Sequence, residues 1–384
     1  MNNFTFYNPT RILFGKGQIA NIKREIPAGA KVLVTYGGGS IKSNGVYAQI
    51  AEALAGYTWG EFGGIEANPG YHTLLRALEK VREEGYDYLL AVGGGSVADG
   101  TKFIALAACF EGDPWLILSE RARPKTALPL GVVLTLPATG SEANANGVVT
   151  NYQTHEKLSF NSPLVYPRFA VLDPRTTFSL PPRQIANGIV DAFIHTLEQY
   201  LTYPVNAPLQ DRFAESILVT LIEEGPRAMG NPDDYDVRAN IMWCATQALN
   251  GLIGVGVPQD WATHMIGHEL TALHGIDHGR TLAIVLPALL QEKRDTKRGK
   301  LLQYAERVWG LREGDEERRI DQAIARTRAF FESLGVPTRL AEYGVNAADI
   351  DPMIEALVQH GMVTLGERQD ITPDVSRRIL QAAL

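Results

Sequence analysis

The most informative segment for the fold is Tyr88-Leu-Leu-Ala-Val-Gly-Gly-Gly-Ser-Val-Ala-Asp-Gly-Thr-Lys102. Its apolar run predicts a buried strand, its three glycines predict a tight turn, and the residues that follow predict a helix to about residue 108. The same order occurs earlier, with a strand at Lys31–Tyr36, a turn at Gly37–Ser40 and a helical pattern to Leu54. Strand, glycine turn and helix in repetition are typical of a parallel α/β sheet.

Two further strands extend this pattern, and then it stops. They are Leu130–Leu136, which leads into a turn of small residues, and Phe169–Leu172, while a helix is predicted at about 71–85. Beyond Ser179-Leu-Pro-Pro-Arg183 the helical periodicity is almost continuous, with no convincing strand. We therefore predict an α/β domain with a Rossmann-like parallel sheet at 1–180 and an all-α domain at 181–384.

The predicted helical domain contains most of the histidines. Asp191 and His195 are four residues apart, as are His264 and His268, so each pair shares one face of a helix. A lone histidine on a helix is more often a hydrogen-bonded core or surface residue than a ligand. Two pairs and the glycine-flanked stretch 274–279, which holds two more histidines, favour a metal site, and nitrogen and oxygen ligands suit Zn²⁺ or Fe²⁺.

The glycine turns are candidate phosphate sites. Open parallel sheets bind ligands at the carboxyl ends of their strands. Glycine lets a phosphate approach the backbone, and the following helix N-terminus supplies N–H donors. The same turns can also be plain connections. The candidate cofactor contacts are Gly37, Gly38, Gly39, Ser40, Gly93, Gly94, Gly95, Ser96, Asp99 (predicted in the first turn of its helix), Thr135, Thr139, Ser141 and Asn144.

The first glycine turn bears on the choice of cofactor. Dinucleotide sites for NAD often place a carboxylate on the ribose 2′-OH. Here the turn Gly37–Ser40 carries no acid and Lys42 follows it closely. Backbone N–H groups, Ser40 and Lys42 could bind a 2′-phosphate, which favours NADP(H) if this turn faces the adenosine ribose. The alternative is an ordinary turn beside a solvated lysine.

Composition excludes several classes of partner. A net charge of −7 without a basic run argues against nucleic-acid binding. The longest apolar run, Leu282–Leu290, contains Pro287 and is too short to span a membrane. Two cysteines, Cys109 and Cys244, make no disulfide framework, so we expect a cytoplasmic protein. An extended N-terminal stretch that ends near Phe14 could form an edge strand that pairs two subunits, so we expect a homodimer.

Four motifs together resemble the iron-containing (group III) alcohol dehydrogenases, and within them the butanol-dehydrogenase-like branch. The motifs are Gly93-Gly-Gly-Ser-Val-Ala-Asp-Gly-Thr-Lys102, Leu136-Pro-Ala-Thr-Gly-Ser-Glu142, Asn187-Gly-Ile-Val-Asp191-x-x-x-His195, and His264-x-x-x-His268-x-x-x-x-x-His274-Gly-x-x-His278-Gly279. The resemblance covers nearly the whole chain, and the combination of motifs is specific although each motif alone is not.

The resemblance implies a dinucleotide-binding domain, a helical metal-binding domain and catalysis in the cleft between them. The metal ligands it implies are Asp191, His195, His264 and His278. His268 would then lie nearby and relay a proton, and Lys157 would contact the cofactor. The turn Gly37–Ser40 replaces the acid of NAD-preferring members, in agreement with NADP(H). The implied activity is reversible, NADPH-dependent reduction of short-chain aldehydes to primary alcohols.

Other functions stay open at this point. Related architectures support metal-dependent polyol dehydrogenation and a lyase reaction of the dehydroquinate-synthase type. The lyase would need several lysines and arginines beside the metal, and the stretch His264–Gly279 contains none. A protein that only binds metal or nucleotide would show no aldehyde-dependent oxidation of NADPH.

Overall fold

The computed structural model describes residues 1–154 and 156–384. The strands are β1 (Arg11–Phe14), β2 (Lys31–Tyr36), β3 (Thr58–Phe62), β4 (Tyr88–Gly94), β5 (Leu130–Leu136), β6 (Asn146–Asn151), β7 (Glu156–Asn161) and β8 (Phe169–Leu172). The α-helices are α1 (Ser40–Ser43), α2 (Val46–Ala53), α3 (Tyr71–Glu84), α4 (Gly95–Ala108), α5 (Leu116–Ser119), α6 (Pro182–Tyr200), α7 (Pro208–Gly230), α8 (Tyr235–Leu249), α9 (Ala262–His274), α10 (His278–Glu292), α11 (Arg298–Arg307), α12 (Glu316–Ser333), α13 (Ile350–Gln359) and α14 (Pro373–Ala382).

The main sheet is parallel, with the strand order β1-β8-β5-β4-β2-β3. The chain runs from β2 to its neighbour β3 and then crosses to β4 on the other side of β2. Ligands of open α/β sheets bind at such a switch point. The last residue pair between β2 and β4 is Tyr36 with Val92, so the two glycine turns begin side by side. The predicted Rossmann-like sheet and its four principal strands are confirmed.

Both faces of this sheet are buried, which explains the near-continuous apolar runs. Leu33 and Leu89 point into one apolar cluster, whereas Val32, Val34 and Leu90 point into another on the opposite face. The alternation along each strand follows from the two-residue period of β structure. This buried sheet therefore positions the turns at its carboxyl edge.

β3 and the antiparallel hairpin of β6 and β7 were not predicted from the sequence. β3 reads Thr-Trp-Gly-Glu-Phe and lies at the sheet edge, where it is only partly buried and so needs no apolar run. Its glycine, Gly60, lies against Tyr86, whose hydroxyl would be 2.1 Å from an added Cβ. Pairing with β2 and packing against Tyr86 therefore form this strand although it contains glycine and glutamate, which are depleted in strands.

The contacts between residues divide the chain into two compact units. The α/β unit comprises Tyr7–Leu180 and Asp233–Thr246, and the helical unit comprises Met1–Phe6, Pro181–Pro232 and Gln247–Leu384. No strand occurs in the described part of the helical unit, so its predicted all-α character is confirmed. Among the residues that the structure describes, no helix has both the length and the apolar character needed to cross a membrane.

Three helices of the helical unit, α6, α9 and α10, carry the predicted metal-binding residues. α6 starts with Pro182 in its first turn, a position that suits proline because the N–H there lacks a partner anyway. From Ile185 to Tyr200 every residue of α6 is buried. α10 packs against both α6 and α9. Polar side chains on α6 therefore lie in the interior and need partners from the neighbouring helices.

Candidate active site

These three helices bring the predicted metal-binding residues together. Asp191 and His195 lie one turn apart on α6, His264 lies on α9, and His278 is the first residue of α10. Asp191 Oδ1 is their common neighbour. It lies 3.5 Å from His195 Nδ1, 3.8 Å from His264 Nε2 and 3.6 Å from His278 Nε2.

The donor atoms fit a divalent cation. One ligand atom from each of Asp191, His195 and His264 lies within 4.8 Å of the others. Within residues 1–154 and 156–384, Asp191 Oδ1, His195 Nδ1 and His264 Nε2 have no hydrogen-bond partner, although these residues are at most 5% exposed. Buried polar atoms without partners cost free energy, and a cation between these three would satisfy all of them. A carboxylate with imidazoles suits Zn²⁺ or Fe²⁺.

The local charges favour a cation at this point. Burial lowers the pKa of His264, but Glu198 and Asp191 outweigh burial and raise it to about 9. Burial lowers the pKa of His195 to about 4, against the opposing charge of Asp191. Burial raises the pKa of Asp191, yet His195, His264 and His278 together hold it well below its ordinary value. Asp191 is therefore ionised and His195 neutral near pH 7, the protonation states that metal ligands require.

The start of α10 is shaped to bring His278 close to α6. A Cβ on Gly279 would lie only 2.6 Å from the backbone oxygen of Asn187 on α6, so glycine permits this close approach. Asp277 ties the two helices further, since its Oδ2 accepts hydrogen bonds from Asn187 Nδ2 at 2.8 Å and Arg183 Nε at 2.7 Å. The residue after His278 must therefore be small for α10 to pack this closely against α6.

His268 lies beside the cluster. Its ring centroid is 5.3 Å from that of His278 and 6.4 Å from that of His264. Trp261, for which the sequence analysis assigned no role, covers another side of the cluster. It has a left-handed backbone with φ of 63°, and its ring centroid lies 5.3 Å from that of His264 and 6.1 Å from that of His195.

In the α/β unit the predicted cofactor turns share one edge of the sheet. Gly37, Gly38 and Gly39 follow β2 and Ser40 begins α1, Gly93 and Gly94 end β4, Gly95 and Ser96 begin α4, and Thr135 lies in β5 with Thr139 just beyond it. A Cβ on Gly95 would lie 2.4 Å from Thr139 Oγ1, so glycine lets α4 start against the turn after β5. The structure therefore brings all three turns to adjacent strand ends.

A buried network around Lys102 holds three of the predicted cofactor residues. Lys102 Nζ donates to Ser141 Oγ at 2.8 Å and to Asn144 Oδ1 at 3.0 Å. The Asp99 carboxylate accepts hydrogen bonds from Ser141 Oγ at 2.5 Å and from the N–H of Val148 at 3.1 Å. The prediction that Asp99 lies in the first helical turn was wrong. Because α4 begins inside the glycine turn, Asp99 is its fifth residue.

Asn68 links two other candidates and was missed. Its side-chain oxygen accepts from Lys157 Nζ at 2.9 Å, and its N–H donates to Ser96 Oγ at 3.2 Å. Its backbone is left-handed, with φ of 56°, a conformation that asparagine tolerates better than most residues. The left-handed preference of asparagine in a loop was the available sequence signal, and it is a weak one.

Lys42, next to the first glycine turn, is not simply solvated. Its Nζ lies 2.8 Å from Glu61 Oε1 on β3, and it lies 5.1 Å and 5.0 Å from the ring centroids of Tyr36 and Tyr47. The hydrogen bond with Glu61 raises the pKa of Lys42. Lys42 therefore stays charged and is partly neutralised by Glu61, a partner that was not predicted because Glu61 lies on β3.

The chain resembles known proteins along nearly its whole length. The iron-containing alcohol dehydrogenase model matches residues 9–174, and the C-terminal model of the Fe-containing alcohol dehydrogenase family matches residues 185–384. The chain belongs to the iron-containing alcohol dehydrogenases. It is 63% identical to the NADPH-dependent aldehyde reductase YqhD of Escherichia coli, with all of both chains covered. The crystal structure of that protein matches with a TM-score of 0.99 at 62% identity, covering 100% of this chain and 99% of the other.

A second relative of this iron-containing alcohol dehydrogenase is named for the other nicotinamide cofactor. The chain is 41% identical to the probable NADH-dependent butanol dehydrogenase 1 of Bacillus subtilis, again with all of both chains covered. Family membership and the helical histidine cluster therefore agree, whereas the relatives' names divide between NADPH and NADH.

One further residue of this family member was missed as a functional candidate. Glu198 lies on α6, is 3% exposed, and its carboxylate contacts Nδ1 of His264. Asp191, His195 and Glu198 fall at positions i, i+4 and i+7, which share one helix face. That spacing was the signal in the sequence, but glutamate on a helix is too common for the spacing alone to indicate a role.

Proposed function

We propose that the protein is an NADP(H)-dependent aldehyde reductase that converts short-chain aldehydes and primary alcohols into one another and requires one divalent cation, Zn²⁺ or Fe²⁺. The proposal rests on the buried, unsatisfied donor atoms of Asp191, His195 and His264, which lie together in a member of this family. The 63% identity to an NADPH-dependent aldehyde reductase supports the substrate class.

We further propose which residues bind the cation and what the cation contributes to the reaction. Asp191, His195, His264 and His278 would hold the cation, with the helical domain at 181–384 as the metal domain. When bound, the cation would act as a Lewis acid toward the carbonyl oxygen of the substrate.

His268, whose ring centroid lies 5.3 Å from that of His278, would donate the proton to the substrate oxygen during reduction and accept it during oxidation. Trp261, whose ring packs against those of His195 and His264, would limit the access of water to them on that side.

The α/β domain at 1–180 would bind the cofactor, which supplies or accepts the hydride. The adjacent turns Gly37–Ser40 and Gly93–Ser96 lie at the switch point of the sheet, which supports a pyrophosphate site there. Lys157, held by Asn68, supports a further contact. The exposed Ser40 and the charged Lys42, with no acid in the turn, support NADP(H) over NAD(H).

We also infer a homodimer in the cytoplasm. β1 is a terminal strand of the parallel sheet, and a strand at a sheet edge can pair with a strand of another subunit. Cys109 and Cys244 are both free thiols, as expected of a reducing compartment.

The deciding experiment follows NADPH oxidation with butanal. Protein as purified, stripped with chelator, and reloaded with Zn²⁺ or Fe²⁺ is compared, with NADH in parallel. We expect activity to vanish on stripping and to return with one of the two metals, and NADPH to be the better donor. If no aldehyde is reduced under any loading, the proposed function is wrong. If NADH is the better donor, only the cofactor assignment fails.

A further inference from the structure

We propose that Glu198 is a positioning residue that holds His264 in the tautomer able to bind the cation. The inference rests on the metal site of the proposed function, and it assigns a role to a residue outside the ligand set. It follows from the His264 imidazole, whose two ring nitrogens lie next to different carboxylates.

The two nitrogens of His264 point in opposite directions. Nε2 faces Asp191 Oδ1 at 3.8 Å, whereas Nδ1 contacts the carboxylate of Glu198. A carboxylate can only accept a hydrogen bond, so Nδ1 must carry the proton. A neutral imidazole with its proton on Nδ1 has its lone pair on Nε2, which is the atom directed at the cation site. Carboxylates that accept from the second nitrogen of a ligand histidine fix both its tautomer and its ring orientation.

Glu198 is itself rigidly held. Its Oε1 accepts the N–H of Thr263 at 2.7 Å, and its backbone oxygen accepts the N–H of Asp260 at 2.8 Å. Thr263 is the second residue of α9, so the carboxylate also satisfies one of the donors at the start of that helix. Its side chain cannot rotate away from His264 without leaving this N–H unsatisfied.

A buried ion cluster fixes the segment that carries these contacts. Asp260 Oδ1 accepts the N–H of Ala262 at 2.8 Å, and Asp260 Oδ2 accepts from Lys297 Nζ at 2.6 Å. Lys297 Nζ also donates to Glu367 Oε2 at 2.9 Å and to the backbone oxygen of Leu201 at 2.7 Å, and its side chain is 2% exposed. The entry of α9 and the end of α6 are thus tied together, which keeps Glu198 and His264 in register.

A purely structural role for Glu198 predicts different behaviour. If Glu198 only capped α9, its loss would lower stability and leave the cation affinity of the folded protein unchanged. If it positions His264, its loss weakens cation binding even where the protein remains folded. The two roles are separated by measuring affinity and stability on the same variants.

The test is Glu198→Gln. Glutamine keeps the size of the side chain but has one acceptor oxygen for two N–H donors, so either Thr263 or His264 loses its partner and the negative charge is lost. We expect the affinity of the metal-free protein for Zn²⁺ and Co²⁺, measured by competition with a chelator, to fall by about 10- to 100-fold. The Co²⁺ absorption bands should shift, because the ring orientation at the metal changes.

Glu269→Gln is the matched control. Glu269 is also a buried glutamate of the helical unit, and its Oε1 lies 2.8 Å from Nδ1 of His360, which is not a candidate ligand. This variant loses the same charge and the same kind of histidine contact. We expect its thermal stability to fall while Zn²⁺ and Co²⁺ affinities and the Co²⁺ spectrum stay as in the wild type.

A measurement on the unmodified protein guards against misfolding of the variant. In ¹⁵N-histidine NMR of the Zn²⁺-loaded wild type, with the His264 signal assigned by its loss in His264→Gln, we expect the proton on Nδ1. A proton on Nε2, or wild-type metal affinity in a folded Glu198→Gln protein, would overturn the proposal. Neither result depends on turnover, so an enzyme that reduces no aldehyde would refute the proposed function and still leave Glu198 testable.

Discussion

At the scale of single residues, the proposed site depends on one carboxylate among imidazoles. Asp191→Asn keeps the shape of the side chain and removes its charge. We expect the bound metal to fall from one equivalent to near zero, and turnover to fall about 1,000-fold, since Lewis-acid stabilisation of several kcal/mol is lost. Metal content by mass spectrometry and the butanal assay check this. His274→Ala, which removes a partly exposed histidine at the end of α9, is the control and should change neither.

The pKa of His264 leads to a pH dependence. Because Glu198 and Asp191 outweigh burial and raise this pKa to about 9 in the metal-free protein, a proton competes with the cation for Nε2 below that pH. His195, with its pKa lowered to about 4, is already neutral. We expect Zn²⁺ affinity to rise about tenfold per pH unit from pH 7 to 9 and to level off above. Calorimetry at several pH values checks this, and an affinity that is flat over this range contradicts it.

At the scale of secondary-structure elements, the position of α10 depends on one glycine. Gly279→Ala places a Cβ 2.6 Å from the backbone oxygen of Asn187 and must push α10 away from α6. We expect a loss of about 1–3 kcal/mol in the free energy of unfolding and weaker metal binding, because His278 moves with the helix. Urea unfolding and metal titration check both. Gly299→Ala, in α11 with open space around it, is the control and should be neutral or slightly stabilising.

The turn between β2 and α1 carries the prediction on cofactor choice. Ser40→Asp adds a negative charge to an exposed position where the 2′-phosphate is proposed to bind. Two like charges about 4 Å apart repel by about 1–4 kcal/mol, so the KM for NADPH should rise about tenfold or more while that for NADH changes little. Ser43→Asp, at the exposed end of the same short helix, adds the same charge farther from the turn and should have a small effect. Equal changes for both cofactors would argue against a phosphate site at Ser40.

At the scale of the whole molecule, the position of β1 at the edge of the sheet leads us to expect a homodimer. Within residues 1–154 and 156–384, β1 pairs with β8 and with no other strand, and edge strands of this kind can pair with another subunit. We expect light scattering with size-exclusion chromatography to give twice the 42.0 kDa of one chain. A mass of one chain at micromolar concentration would refute the dimer without affecting the proposed reaction.

The sequence predicted what depends on spacing along the chain. The glycine turns after Tyr36 and Val92 mark the ends of buried strands, and both strands are present with their turns side by side. β3 was not predictable in this way, because an edge strand needs no continuous apolar run. Neither was the partner of Lys42, since Glu61 reaches it only through the pairing of that strand with β2.

Local periodicity was enough to predict an α/β part followed by an all-helical part, and to predict the helix faces that carry the ligand candidates. Which imidazole meets Asp191 depends instead on how the helices pack. Spacing places His264 and His268 on one face of α9 alike, yet His264 faces Asp191 while His268 lies to the side. That choice depends on how α9 and α10 pack against α6, and packing between helices is set by side-chain shapes that lie far apart in the chain.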